Sequence, residues 1–128
     1  MSTSSQYVGT PKNGTTQIST ANTARDGTGT LGTVYTAGAS GSRIDRLTIQ
    51  AAATTTAGMV RLFISDGTAT RLIREIPVLA ITPAATTPAW GMDYVFEGGL
   101  ILQATWTLKA ATNNAETFNL IPTVAGDF

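Results

Sequence analysis

The chain contains no cysteine and no histidine. It therefore cannot form a disulfide, a zinc site built on Cys or His, a cysteine nucleophile or a Ser-His-Asp triad. The lack of cysteine fits a reducing cytoplasm but does not require one. Charge is scarce as well: eight basic and eight acidic residues cancel, and charged residues make up 12% of the chain. That is about half the usual share. A neutral chain exerts no long-range pull on nucleic acid or anionic membrane, so neither is expected as a partner. Low charge also brings little self-repulsion, which suits close packing of many copies. No run of about 18 apolar residues is available to cross a membrane as a helix. The first six residues, Met-Ser-Thr-Ser-Ser-Gln, lack the basic and apolar regions of a secretory signal, so synthesis in a cytoplasm without that export route is expected.

What is present points to β structure. The 128 residues are enough for one domain and can bury roughly two-thirds of their unfolded surface, so no staple is needed. Threonine alone occurs 24 times, and Thr, Val and Ile favour strands. No window repeats apolar residues at i, i+3, i+4 and i+7. Residues 1–14 are rich in Ser, Thr, Gly, Asn and Pro, with Tyr7 and Val8 as apolar anchors. They are expected to form an extended arm, and residues 15–128 the domain. Strands are predicted over 16–24, 30–37, 43–51, 58–65, 71–79, 89–96, 100–108 and 117–124, with Gly- and Asn-rich turns between them. Eight short strands at this spacing predict an all-β fold, an antiparallel sandwich or a barrel.

One hairpin allows a register to be chosen. A three-residue loop of Gly67, Thr68 and Ala69 would pair Arg61 with Glu75 and Phe63 with Ile73. A four-residue loop would set Arg61 against Arg74, placing like charges opposite each other. The first register is preferred by a few tenths to about 1 kcal/mol. It puts Val60, Ile64, Leu72, Ile76 and Val78 on one face. It also lands Arg74 on that apolar face opposite Leu62, which places Arg74 at a rim or a subunit contact.

Motifs that carry chemistry fare poorly. Residues 27–32 match G-x-G-x-x-G, but no preceding strand, following helix or acid about 20 residues on completes a dinucleotide site. Gly38-Ala39-Ser40-Gly41 is not a nucleophile elbow. Asp93 and Glu97 could be offered as a glycosidase pair, yet four residues along a strand separate them by about 13 Å. Asp66-Gly67 lacks the rest of a calcium loop and is better read as a hairpin turn. Asn13-Gly14-Thr15 matters as a glycosylation sequon only in a secreted eukaryotic protein. Trp90, Tyr94 and Trp106 could form a sugar-stacking platform or fill the core, the commoner fate of period-two aromatics. Arg43, Arg46, Arg61, Arg71 and Arg74 make the central third basic, but Asp45, Asp66 and Glu75 interleave with them, so ion pairs are expected there.

Three phrases carry a resemblance: residues 58–67 (Gly-Met-Val-Arg-Leu-Phe-Ile-Ser-Asp-Gly), then 71–76 (Arg-Leu-Ile-Arg-Glu-Ile), and the ending from Ala110 to Asn119 with Gly126-Asp127-Phe128. Over roughly residues 30–128 the chain resembles small proteins of tailed phages and prophages, some of which are auxiliary capsid proteins of the decoration or cement type. The resemblance implies a jelly-roll domain, self-association (often as a trimer), attachment to the major capsid protein lattice, and no cofactor or catalytic residue. It makes a structural protein of the virion's capsid surface the first expectation, with no enzymatic activity. Tyr7, Val8, Pro11 and Arg74 are the expected partner contacts. The rival expectation is a tail, baseplate or head-fibre domain that binds host glycans through exposed aromatics.

Overall fold

The computed structural model describes residues 9–128 and shows an all-β antiparallel sandwich. Nine strands follow in chain order: β1 (Thr10–Pro11), β2 (Thr16–Ile18), β3 (Gly32–Thr36), β4 (Ser42–Ala51), β5 (Gly58–Ser65), β6 (Thr70–Val78), β7 (Gly91–Leu102), β8 (Thr107–Thr112) and β9 (Phe118–Asp127). The described residues contain no helix. One sheet runs β1-β9-β4-β7, with β2 also paired to β9; the other runs β3-β8-β5-β6. The pairings nest: β5 with β6, β4 with β7, β3 with β8 and β2 with β9. This is one long antiparallel ribbon rolled into two layers, the jelly-roll winding.

Alternation fills the space between the layers. From β4 come Ile44, Leu47 and Ile49; from β5, Val60 and Leu62; from β8 and β9, Leu108, Phe118 and Leu120, all essentially without exposure. Each such side chain contributes about 1.5–3 kcal/mol by leaving water. Strict alternation along β4 would drive Arg46 into this layer. A break in register at Asp45 prevents it: Ile44 and Leu47 both face inward, and Asp45 and Arg46 share the outer side. The partners give way at the same level. β7 uses the four residues from Phe96 to Gly99 there, with Gly98 and Gly99 both at positive φ, and β9 carries a shift at Thr123. Hence the Gly98-Gly99 pair, expected to be a turn, lies inside a single strand. The true turn follows at Gln103, whose carbonyl accepts from the Trp106 amide at 3.1 Å.

The β5–β6 hairpin combines both candidate registers. Its loop has four residues, with Ser65 opposite Thr70 and Phe63 opposite Leu72. A bulge at Ile73 then restores the charge-matched register, so that Arg61 faces Glu75 and Leu62 faces Arg74. The local turn decides the loop: Asp66 Oδ1 accepts from the amides of Thr68 (2.8 Å) and Ala69 (2.7 Å), and Gly67 takes a φ of 92°. The extra residue moves Ile73 toward the core and Leu72 to the outer side, the reverse of the expectation for Leu72.

Residues 19–31, expected to be partly strand, instead form a strap over the outer face of the β3-β8-β5-β6 sheet. Ala21 bridges Thr112 on β8, and Arg25 reaches Glu75 on β6. Asn22 organises the strap, donating to the carbonyls of Thr28 (2.9 Å) and Thr30 (3.0 Å) and accepting from the Ala24 amide. Beneath it Phe63, Arg61 and Ala111 are buried although they point away from the main core. The Arg61 side chain is only 4% exposed and is satisfied by Glu75 (3.0 Å) and by Asn113 Oδ1 (3.0 Å). Hydrogen bonds from Arg25 and then Arg61 hold the Glu75 carboxyl below its ordinary pKa.

Trp90 lies in the core, with its ring 5.9 Å from that of Phe118 in an edge-on arrangement. Trp90→Ala is expected to lower stability by about 3–5 kcal/mol in urea unfolding, whereas Val95→Ala, at an exposed strand position, should stay within about 0.5 kcal/mol. Equal losses at the two positions would contradict this packing.

Candidate interaction surface

The two outer faces of the sandwich are unequal. One is covered by the strap of residues 19–31. The other, on the β1-β9-β4-β7 sheet, has no element of the described chain laid over it. Its side chains follow from the same alternation that fills the core. Arg46 on β4 faces Val95 on one side and Val124 on the other, making a row across three strands. Thr48 sits between Asp93 and Ile121 in the next row, and Arg43 between Ile101 and Gly126 toward the far end. Val95, Ile101 and Val124 are 55%, 52% and 39% exposed. Arg43 is paired with Asp45 at 2.9 Å, and Asp93 accepts from the Thr48 hydroxyl at 2.6 Å. The result is a β face on which the aliphatic side chains Val95, Ile101 and Val124 are exposed among the charges of Arg43, Asp45, Arg46, Asp93 and Glu97.

The anchor of the N-terminal segment borders this face. Thr10 and Pro11 pair with Asp127 and Gly126 on β9, and the Lys12 amide donates to the Ala125 carbonyl. Lys12 Nζ then lies 2.9 Å from Asp127 Oδ2, donates to the Thr36 carbonyl, and sits 4.7 Å above the Tyr35 ring. The other Asp127 oxygen accepts from Tyr35 Oη at 2.8 Å and from the Ser42 hydroxyl. Gly38 closes the cluster: a Cβ there would come within 2.9 Å of the carboxylate. Burial alone would raise the pKa of Asp127. The hydrogen bonds from Ser42, Lys12 and Tyr35, with the Lys12 charge, outweigh it and lower the value to about 2. This clasp ties β1, β3, β4 and β9 together at one end of the sandwich.

The expected contact residues fall in different places. Tyr7 and Val8 lie outside the described residues. Of the 1–14 segment expected as an arm, the part from Thr10 to Lys12 is strand and clasp on its own domain. Pro11 is exposed there, beside the bare face. Arg74 is at the rim, as the register demanded: its Nε donates to Tyr94 Oη at 2.6 Å, joining β6 of one sheet to β7 of the other. Pro11 and Arg74 are thus not neighbours in the fold; they belong to strands of different sheets. The aromatic trio is not assembled either. Trp90 is internal, Tyr94 packs edge-on against Phe96 at the rim, and Trp106 lines a shallow depression with Ile64, Asp66, Ala69 and Arg71. Residues 27–32 lead into β3 and not into a helix. No group of three or more Asp or Glu side chains that could hold a metal occurs among the described residues.

Reasoning from the sequence missed the bare face and the clasp. The face required knowing which sheet the strap would cover. The clasp joins residues far apart in sequence, of which only Asp127 near the end of an apolar strand was a visible oddity. The chain matches no known family model, and no curated protein matches it in sequence.

Asp127 carries its charge more readily when folded than when unfolded, where its pKa is near 3.9. The stability it contributes is therefore complete above about pH 4 and is lost as pH falls from about 4 through 2. Asp127→Asn should cost on the order of 1–2 kcal/mol at neutral pH, and the variant's stability should fall less steeply in that acid window. Thermal unfolding as a function of pH measures both; identical slopes for the two proteins would show that the clasp contributes nothing.

Proposed function

We propose that this protein is a structural component of a virus particle, a capsid decoration or cement protein that binds the major capsid protein lattice and reinforces the head. The observation that carries the reading is the bare outer face of the β1-β9-β4-β7 sheet. Among the described residues, the strap covers one outer face and no element covers the other, where Val95 and Ile101 are exposed. The charges of that face, Arg46, Asp93 and Glu97 beside the Arg43–Asp45 pair, call for opposite charges on the partner surface. The jelly-roll winding supports the reading as well, since that architecture serves in viral capsids, although it also serves in lectins and does not fix function. The protein acts by contact and not by catalysis, at the capsid surface, after synthesis in the host cytoplasm. Self-association as a trimer multiplies individually weak contacts into firm attachment. The clasp at Lys12 and Asp127 supports a role for the N-terminal segment, because it fixes Thr10 and Pro11 on β9 beside the bare face.

Co-sedimentation with mature heads depleted of this protein tests the reading. Wild type should saturate the shells at a fixed ratio to the capsid subunit. Val95→Lys and Ile101→Lys, both at exposed positions that tolerate the change, should each weaken binding at least tenfold with the fold intact by circular dichroism. Wild-type protein that fails to bind the shells would overturn the reading.

A further inference from the structure

The bare face ends in an open strand edge. Antiparallel pairing alternates, so every second residue of an edge strand turns both its N–H and its C=O away from the sheet. The Ala51 amide donates to the Trp90 carbonyl at 2.8 Å, which makes Ala51 and Trp90 a hydrogen-bonded pair. In the same register Ile49–Met92 and Leu47–Tyr94 are the next such pairs. Gly91, Asp93 and Val95 therefore direct their backbone groups outward. No backbone hydrogen bond of the described residues reaches that side of β7.

The other edges are blunted in the usual ways. β1 and β2 are two and three residues long, and β1 contains Pro11. β3 has five residues and a register shift at Val34. β6 carries Pro77, Arg71, Arg74 and the bulge at Ile73. β7 has twelve residues with no proline and no basic residue, and its stretch from Gly91 to Val95 is regular.

The charges on this edge select the occupant. Asp93 and Glu97 are exposed on the outer side, and neither forms an ion pair among the described residues. A second copy pairing β7 with β7 about a two-fold axis gains nothing from these charges: centring on Asp93 opposes the two Asp93 side chains, centring on Val95 opposes Asp93 and Glu97, and centring on Tyr94 sets Asp93 against Val95 and leaves both acids without a counter-charge. Like charges directly opposed destabilise a ladder. We infer that the free edge of β7 accepts an extended segment of a different protein, one that adds a strand with Lys or Arg at alternate positions facing Asp93 and Glu97. Its intervening side chains face the rim at Tyr94 and Arg74 and are apolar. This is strand addition, in which the main chain supplies affinity and alternate side chains supply choice. The inference needs a binding partner but does not need that partner to be a capsid.

The probe is a fluorescein-labelled heptapeptide, Thr-Lys-Val-Lys-Val-Lys-Thr, capped at both ends, with its Lys→Glu counterpart as control, titrated by anisotropy at low salt. The lysine peptide should bind wild type at least tenfold more tightly than the glutamate peptide. Asp93→Asn should narrow that preference. Val95→Pro should abolish binding while the domain stays folded, because it deletes an N–H that points outward and not one used by β4. Equal binding of the two peptides, no binding at millimolar peptide, or undiminished binding by a folded Val95→Pro protein would each overturn the inference. So would a wild-type dimer at neutral pH that Val95→Pro dissociates. Should Val95→Pro fail to fold, the peptide pair and Asp93→Asn still decide. None of these results bears on head co-sedimentation, which is decided by whether the wild-type protein binds the shells.

Discussion

The apolar layer between the two sheets is what every other feature depends on. With no disulfide and no Cys or His metal site possible, the cohesion of the domain must come from burying side chains such as Ile44, Leu47, Leu62, Phe118 and Leu120. That demand explains the irregularities. Arg46 would enter the layer if β4 alternated strictly, so three adjacent strands share a bulged level there. Arg74 does enter on the inner side of β6. It is tolerated because β6 is an edge strand, where its guanidinium escapes to the rim and finds Tyr94.

A sandwich has two outer faces, and this chain treats them differently. On the strap side Arg61 is drawn under residues 19–31, with Glu75 and Asn113 supplying its partners, so the buried charge is both paired and hydrogen-bonded. On the other side no comparable segment of the described chain covers the sheet. Val95 and Ile101 of β7 are exposed, and a carboxylate is held ionised at the clasp on the same sheet. This contrast singles out the bare face, and not its opposite, as the surface proposed to meet another protein.

How much of this could be read from the residues depends on the range of the interaction involved. Local chemistry was readable. Period-two apolar residues located most strands, and Asp66-Gly67 located a tight turn. The charges of Arg61 and Glu75 identified the right pairing, and Arg74 opposite Leu62 implied a rim. Where two local signals competed, reading failed: the Asp66 turn wanted four loop residues while the charges wanted the other register, and a bulge at Ile73 satisfied both. Gly98-Gly99 misled because glycine at positive φ serves a bulge as well as a turn. The strap, the clasp and the bare face depend on contacts across the whole chain, which no pattern within a window can reveal. Of the contact residues expected from sequence, Arg74 sits at the rim and Pro11 beside the bare face, while the residues that define the face itself, Val95, Ile101 and Val124, looked like ordinary strand positions.

Whether this surface works in a virion is decided most directly by the copy number of the protein in purified particles that carry it, measured by quantitative mass spectrometry against the major capsid protein. Hundreds of copies, in simple ratio to the capsid subunit, are expected of a decoration protein. A few to a few dozen copies would place the protein at a vertex or in the tail, and complete absence from particles would contradict the virion role outright.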